Sequence, residues 1–384
     1  MDPTPARKDD NLILVLNSGS SSLKFGAYRQ GTNDEEPVLT GGAESSGRSN
    51  RTLRIHTGKT VAEDKSVLES QGDALTALAT AIKQNLHAPP KAVGHRVVHG
   101  GPDLRTHQLI TPRVVEQLRA ATHFAPLHIP QALALIASAQ TIFPDAAHYA
   151  CFDNAFHRTL PEVSAHLPLP QRYYDAGIRR YGFHGLSYES LVHHFGAHLP
   201  ERAIFAHLGS GASVCALQNG VSIDTTMGLT PTGGIPMGTR TGDLDPGVLV
   251  YLLRTEKFST DELEDLLNHQ SGLSAFAGGG GDARTLEERA RAGDPKAKLA
   301  LDAFSTAVRK VIGSYVALLG GVDLLVFTGG IGEHSEGIRR STTQGLECLG
   351  LTPDKIKVVP TEEELQIARH VRTMMKRPQG NCDA

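Results

Sequence analysis

The apolar pattern of the chain opens with an uninterrupted run, Leu12-Ile13-Leu14-Val15-Leu16, rich in β-branched residues. Such a run reads as a strand. It passes through Asn17-Ser18-Gly19-Ser20-Ser21-Ser22 and leaves by Leu23-Lys24-Phe25, where apolar and polar positions alternate. A strand, a tight small-residue turn and a second strand are expected. Leu75, Leu78, Ile82 and Leu86 recur at helical spacing, and Ala92 to Val98 follows as a short strand. Pro126 and Pro130 interrupt the next helical stretch and impose a loop at Leu127-His128. Strands are expected at Ala147 to Asp153 and Arg202 to His207. Ser213 to Gln218 and Val221 to Thr225 read as a hairpin turning on Asn219-Gly220. Asp294-Pro295 opens a long helix reaching Leu319, and Leu324 to Thr328 is a buried strand entering Gly329-Gly330-Ile331-Gly332.

Alternating strand and helix patterns point to an α/β fold. At 384 residues the chain is long enough for two domains, each with its own core. An internal echo supports the division. Leu16-Asn17-Ser18-Gly19-Ser20-Ser21-Ser22 has a counterpart in Ala206-His207-Leu208-Gly209-Ser210-Gly211-Ala212-Ser213. Each follows an apolar strand, turns on glycine and serine, and leads into another strand, as a duplicated fold would.

Charge and composition narrow the function. A net charge of −3 leaves no basic surplus for nucleic acid, and no apolar run is long enough to cross a bilayer. Met1 to Asn11 is polar without an apolar signal core, so a frayed extension and a cytoplasmic location are expected. Four scattered cysteines show no C-x-x-C spacing, and the 18 histidines no H-E-x-x-H spacing. Neither a disulfide framework nor a zinc site is indicated.

The candidate chemistry lies at glycine-rich turns. In the first, backbone N–H groups and hydroxyls can approach an anion such as polyphosphate, with Lys24 adding a point charge and Asn17 holding a metal-bound water. Gly94-His95-Arg96-Val97-Val98-His99-Gly100-Gly101 places Arg96 at a strand end, where its planar fork suits a carboxylate or phosphate. Gly238-Thr239-Arg240-Thr241-Gly242-Asp243 carries a second arginine on a loop, and two arginines aimed at one point would neutralise a transferring phosphoryl group. Asp153, just past a strand, suits an arginine-orienting or basic role, or merely a turn cap. His184, between Gly182 and Gly185, suits donation to a transition-state oxygen, although a lone histidine is more often structural. Gly278 to Gly281 precedes Asp282-Ala283-Arg284, and Thr328 to His334 contains G-x-G without the full dinucleotide fingerprint. No P-loop is present, so neither nicotinamide chemistry nor a P-loop ATPase is indicated. Glu363, among three consecutive glutamates, suits magnesium binding through water or simply an acidic helix start.

Taken in order, these stretches, with Phe152-Asp153, Arg180-Tyr181-Gly182-Phe183-His184-Gly185 and Phe327-Thr328-Gly329-Gly330-Ile331-Gly332-Glu333, resemble the acetate kinase family over nearly the whole chain after Asn11. The resemblance implies an α/β fold of two duplicated actin-like (ribonuclease H-like) domains around an interdomain cleft. Residues 1–152 with 367–384 would form the acid-binding side, and 153–366 the nucleotide-binding and dimerising side. It implies a homodimer and the reaction acetate + ATP ⇌ acetyl phosphate + ADP, dependent on Mg2+ or Mn2+. The resemblance assigns Asn17 and Glu363 to the metal and Lys24 to nucleotide phosphate. Arg96 and Arg240 fall to substrate and phosphoryl group, Asp153 to the catalytic acid, and His184 with Arg240 to transition-state stabilisation. His207, Leu208, Gly209, Ser210 and Gly211, then Asp282, Ala283 and Arg284, then Gly330, Ile331, Gly332, Glu333 and His334 match nucleotide-binding stretches. Val98, Leu127, Phe183 and Pro231 match the pocket for the acetate methyl group. Ser210 and His334 each stand where the family commonly has asparagine, which bears on the phosphoryl donor. A propionate or other short-chain acid kinase, a different donor, a sugar kinase and a non-kinase actin-like ATPase are the competing readings.

Overall fold

In a computed structural model of the chain, residues 12–19, 22–29, 35–45, 51–57, 60–64, 71–86 and 88–376 are described. The expected frayed extension, Ser20 and Ser21 of the first turn, and Cys382 lie outside the described residues. The chain divides into two units. One joins the residues up to Ala155 to those from Glu362 onward, and the other is Phe156–Thr361. The division falls at 155/156 and 361/362 and not at 152/153 and 366/367, so Asp153 and Glu363 belong to the first unit. The reason is local: the helix Glu363–Lys376 is one element packed on the first sheet, and Asp153 bonds back through its N–H to the Val97 carbonyl at 3.0 Å.

The first sheet holds β1 (Leu12–Ser18), β2 (Ser22–Arg29), β3 (Pro37–Ser45), β4 (Arg51–Thr57), β5 (Thr60–Asp64), β6 (Ala92–Val97), β7 (Gln108–Leu109) and β8 (Ala147–Phe152). Their order across the sheet is β5-β4-β3-β2-β1-β6-β8-β7. β1 pairs antiparallel with β2 and parallel with β6, which pairs parallel with β8. Every residue of β1 is buried, as its unbroken apolar run requires. Leu12, Leu14 and Leu16 pack with Leu75, Leu78 and Ile82 of the helix Gln71–Leu86 and with Leu135 and Ala139 of the helix Ile129–Ile142. Each such leucine contributes about 1.5–3 kcal/mol by leaving water. On the other face the helix Glu363–Lys376 comes so close that a Cβ on Gly94 would stand 2.6 Å from Ile367 and 2.9 Å from Val371. Glycine at that position is a packing requirement.

The second sheet holds β9 (Arg202–Leu208), β10 (Ala212–Gln218), β11 (Val221–Thr225), β12 (Leu324–Thr328) and β13 (Ile356–Val358), in the order β11-β10-β9-β12-β13. Its antiparallel triple and two parallel partners repeat the β3-β2-β1-β6-β8 part of the first sheet. The echo between the two glycine-serine turns is therefore the echo of equivalent hairpins. Asn219 and Gly220 both adopt positive φ, 50° and 75°, which matches the right-handed twist of the β10–β11 hairpin. The long helix Pro295–Leu319 begins with the Asp294 carboxylate accepting from Lys296 and Ala297 N–H and ends on Gly320 at φ 68°.

One buried polar pair interrupts the first core. His148 Nε2 faces the Phe143 carbonyl at 3.2 Å and so carries a proton. Its Nδ1 then accepts from His95 Nε2 at 3.0 Å. Burial, helped by the neighbouring His148, pushes the His95 pKa down to about 3, and burial lowers that of His148.

Candidate active site

In the first unit, Asn17, Arg96 and Asp153 stand at the C-terminal ends of three neighbouring parallel strands, β1, β6 and β8, where α/β sheets place their ligands. Arg96 donates through Nε to both Asp153 carboxylate oxygens at 3.0 Å and through Nη2 to Oδ2 at 2.5 Å. Its Nη1 donates to the Ser18 carbonyl at 3.1 Å. Burial disfavours the guanidinium charge, but Asp153, with Glu363 and Glu364 beyond it, outweighs that effect and raises the pKa above the usual arginine value. Arg96 is thus a fixed cation whose orientation is set by Asp153.

Asn17 is 5% exposed and donates through Nδ2 to Glu363 Oε2 at 2.9 Å and Glu364 Oε1 at 2.8 Å. Both glutamates belong to the first turn of the helix Glu363–Lys376. An amide oxygen and carboxylates are the hard oxygen donors that Mg2+ prefers, so the residues present fit that ion. Lys24 faces Asn17 across the β1–β2 ladder and is exposed. Val98 and Leu127 are half-buried, at the end of β6 and in the loop before Ile129–Ile142.

In the second unit the site is built around His184. This residue precedes the helix Gly185–Phe195 with φ 58° and ψ 24°, a left-handed conformation costing about 1–2 kcal/mol in a residue other than glycine. The strain is held from behind by His157. Its Nε2 donates to the Phe183 carbonyl at 3.0 Å, and its Nδ1 accepts from Ser222 Oγ at 2.8 Å. Burial pushes the His157 pKa down to about 4, which keeps it neutral in that role. Gly182, at φ 73°, admits the His157 ring, because a Cβ there would lie 2.6 Å from it.

The His184 ring stacks on His207, with centroids 4.2 Å apart and planes 21° apart. His184 Nδ1 lies 2.9 Å from Ser213 Oγ, which lies 2.5 Å from Tyr188 Oη. Ser187 Oγ lies 2.8 Å from His207 Nδ1. On the opposite edge, a methyl group built on Gly211 would stand 3.3 Å from His184 Nε2 and 3.6 Å from Arg240 Nη1. Two donors of different segments therefore converge beside Gly211. Arg240 Nη1 also donates to the carbonyl of buried Pro231 at 3.2 Å, which fixes the guanidinium, while Phe183 is 1% exposed.

The three stretches matched to nucleotide adjoin one another. The ideal Cβ of Gly209 lies 3.9 Å from the Gly330 nitrogen, which joins His207–Gly211 to the helix Gly329–His334. Gly238 donates to the Ser210 carbonyl at 3.2 Å and abuts Gly281, which joins the same turn to Asp282–Arg284. Individual side chains are used differently. The Asp282 carboxylate accepts from Thr285 N–H and Oγ1 at 2.9 and 2.8 Å and caps its helix. Ala283 is buried, and Arg284 is exposed with Glu288 at 3.6 Å. The Glu333 carboxylate turns back to the Gly329 N–H at 2.9 Å. Leu208 and Gly332 are buried, Ile331 is half-buried, and Ser210, Gly330 and His334 are exposed.

Sequence reasoning missed Ser18, Tyr188, Ser213 and Glu364. Tyr188 had a signal only through nearness along the chain, since it lies in the first turn of the helix that follows His184. Ser213 had one only through register, being opposite His207 in the β9–β10 ladder.

A model of the acetokinase family matches residues 12–372. The acetate kinase of Methylocella silvestris is 38% identical over 94% of this chain and 98% of its own. The solved structure of a propionate kinase from Francisella tularensis superposes with a TM-score of 0.87 at 35% identity, covering 94% of this chain and 98% of that one. That of Porphyromonas gingivalis acetate kinase gives 0.82 at 32% identity, covering 95% and 100%.

Proposed function

Because the chain belongs to the acetokinase family, we propose that it transfers the terminal phosphoryl group of ATP reversibly to acetate, giving acetyl phosphate and ADP by direct in-line displacement. The observation that carries this reading is the convergence of His184 Nε2 and Arg240 Nη1 beside Gly211, next to glycine turns suited to polyphosphate. An acetate oxygen forms a bond to the γ-phosphorus as the bond to the bridging oxygen of ADP breaks. Acetate is already ionised at neutral pH, so the nucleophile needs no base. Arg96 takes the carboxylate, and Asp153 acts as a positioning residue that holds the guanidinium fork in place. Arg240 and His184 meet the charge spread over the phosphoryl oxygens. Val98, Leu127, Phe183 and Pro231 are assigned to the methyl group, and Lys24 with the glycine turns to the nucleotide. Asn17 and Glu363 would hold Mg2+, or Mn2+ in its place, which when bound offsets the negative charge of the nucleotide phosphates.

Acyl-hydroxamate formation from acetate, ATP and Mg2+ tests the reaction, and its absence with both acetate and propionate would overturn it. Propionate as the acid is the second reading, to which the likeness to the Francisella tularensis propionate kinase points. The ratio of kcat/KM for the two acids decides, since one methylene is worth about 10–200-fold. Ser210 and His334, both exposed on the nucleotide turns, make a panel of nucleoside triphosphates and other phosphoanhydrides the test of donor.

Homodimerisation is supported by the helix Pro246–Arg254. It has no buried residue and leaves Val248, Val250, Tyr251 and Leu253 exposed, an apolar face that a second copy would cover. Light scattering of Tyr251→Glu beside the parent chain tests this. Among the described residues no helix is long and apolar enough to cross a membrane.

A further inference from the structure

We propose that Tyr188 and Ser213 are positioning residues that hold the His184 proton on Nε2, so that this ring acts as a hydrogen-bond donor to the reacting group and never as a base. The inference rests on His184 meeting the transferring phosphoryl group.

The direction of the relay follows from counting protons. Tyr188 and Ser213 are both fully buried. Burial raises the phenol well above the ordinary tyrosine value, so Tyr188 keeps its proton and has to donate it. The acceptor it faces is Ser213 Oγ, at 2.5 Å. A serine hydroxyl carries one proton, and the other group facing Oγ is His184 Nδ1, at 2.9 Å. Ser213 accepts from the phenol and donates to the imidazole. With Nδ1 occupied as an acceptor, the neutral ring carries its proton on Nε2. Nε2 is the atom that stands beside Gly211, with Arg240 Nη1 close to the same point.

Charging His184 would make Nδ1 a donor as well, so that Ser213 Oγ accepts from both neighbours and its own buried proton loses the imidazole as its acceptor. Within the second unit the titratable and charged groups around the ring include His207, stacked on it, Arg240 beside Gly211, and Tyr188, which reaches it through Ser213. A charged His184 would be repelled by Arg240, and by His207 if that ring were protonated too. Ser187 provides His207 with a hydroxyl partner at Nδ1 in the same manner. Both stacked rings thus turn the same nitrogen to a serine, which favours one tautomer in each.

The test combines a spectroscopic and a kinetic readout on the full chain. Protein labelled with 15N and 13C in histidine is examined by NMR, with the His184 signals assigned through His184→Gln. The expected parent spectrum at pH 8 shows the neutral His184 ring with its proton on Nε2 and none on Nδ1. Tyr188→Phe keeps the ring volume and removes the donor, so a mixture of tautomers is expected. With it, kcat should fall about 10–100-fold, the range seen when outer partners of ligand histidines are removed, with KM for acetate and ATP within about twofold. Ser213→Ala should do the same, and Ser213→Thr should restore both readouts. A parent ring protonated on Nδ1, or a tautomer unchanged in both Tyr188→Phe and Ser213→Ala, would overturn the relay. A tautomer lost in these variants while kcat stays at the parent value would instead overturn the catalytic role of His184 on which the proposal rests.

Discussion

Replacing Gly211 by alanine puts one methyl group where two donors meet. The backbone tolerates it, because Gly211 is not among the positive-φ glycines. The space is tight on one side, since the new carbon would stand 3.3 Å from His184 Nε2, which has to give by a few tenths of an ångström, and 3.6 Å from Arg240 Nη1, an ordinary contact. His184 has little room to retreat, as Ser213 holds its Nδ1 and His207 backs its face. Arg240, at 3.6 Å, need not move and keeps its bond to the Pro231 carbonyl. A single contact this tight costs about 1 kcal/mol of stability. The cost to catalysis is larger. A phosphoryl oxygen must come within about 2.7–3.1 Å of its donors, and a methyl at their meeting point keeps it out. Loss of one such donor costs about 10²–10³ in kcat, and two share this point, so turnover should fall about 10³-fold, or ~4 kcal/mol. Hydroxamate formation under saturating acetate and ATP gives kcat, and thermal unfolding confirms that the variant is folded. A folded Gly211→Ala enzyme with turnover within about threefold of the parent would refute the placement of the phosphoryl group.

Arg240→Ala should lower turnover about 10²–10³-fold, read in the same assay, because it removes one of the two donors. Asp153→Asn keeps one acceptor oxygen for Arg96 but loses the charge, at about 1.5–3 kcal/mol in denaturant unfolding. Both limbs of its pH–rate profile should survive, and loss of one ionisation would make Asp153 a true acid–base group. Acid should destabilise the fold early. His95 and His157 are depressed to about 3 and about 4 in the native state. Below about pH 6.5 the unfolded chain therefore takes up protons that the native chain refuses. Stability is complete above pH 6.5 and falls by about 1.4 kcal/mol per pH unit for each histidine as pH drops toward those values. A urea midpoint that does not move between pH 7.5 and pH 5.5 would contradict this.

The strands and long helices were legible because their signals are local. The unbroken run at Leu12 to Leu16, the Asn219-Gly220 turn and the Asp294-Pro295 start each determine their element within a few residues. The duplication was legible as two similar turns, and the matching strand orders follow from it. Arg96 and Asp153 could be singled out separately, but their bond needs β6 and β8 to be neighbours, which 57 residues of separation conceal. The unit boundary at 361/362 was hidden because an acidic helix start looks alike wherever it packs. Ser213 was legible only through its register opposite His207, which does not say that its hydroxyl will meet His184.

Gly94 has a consequence for how this chain comes off the ribosome. The groove it opens in the first sheet is filled by Ile367 and Val371, more than 270 residues later. The unit synthesised first therefore waits, with one apolar face bare, for the last helix to be translated. The unit between, an uninterrupted stretch from Phe156 to Thr361, has all its strands in hand before then. Synthesis order and completion order are inverted, and the interval in between is when nascent chains are most in need of a chaperone's cover.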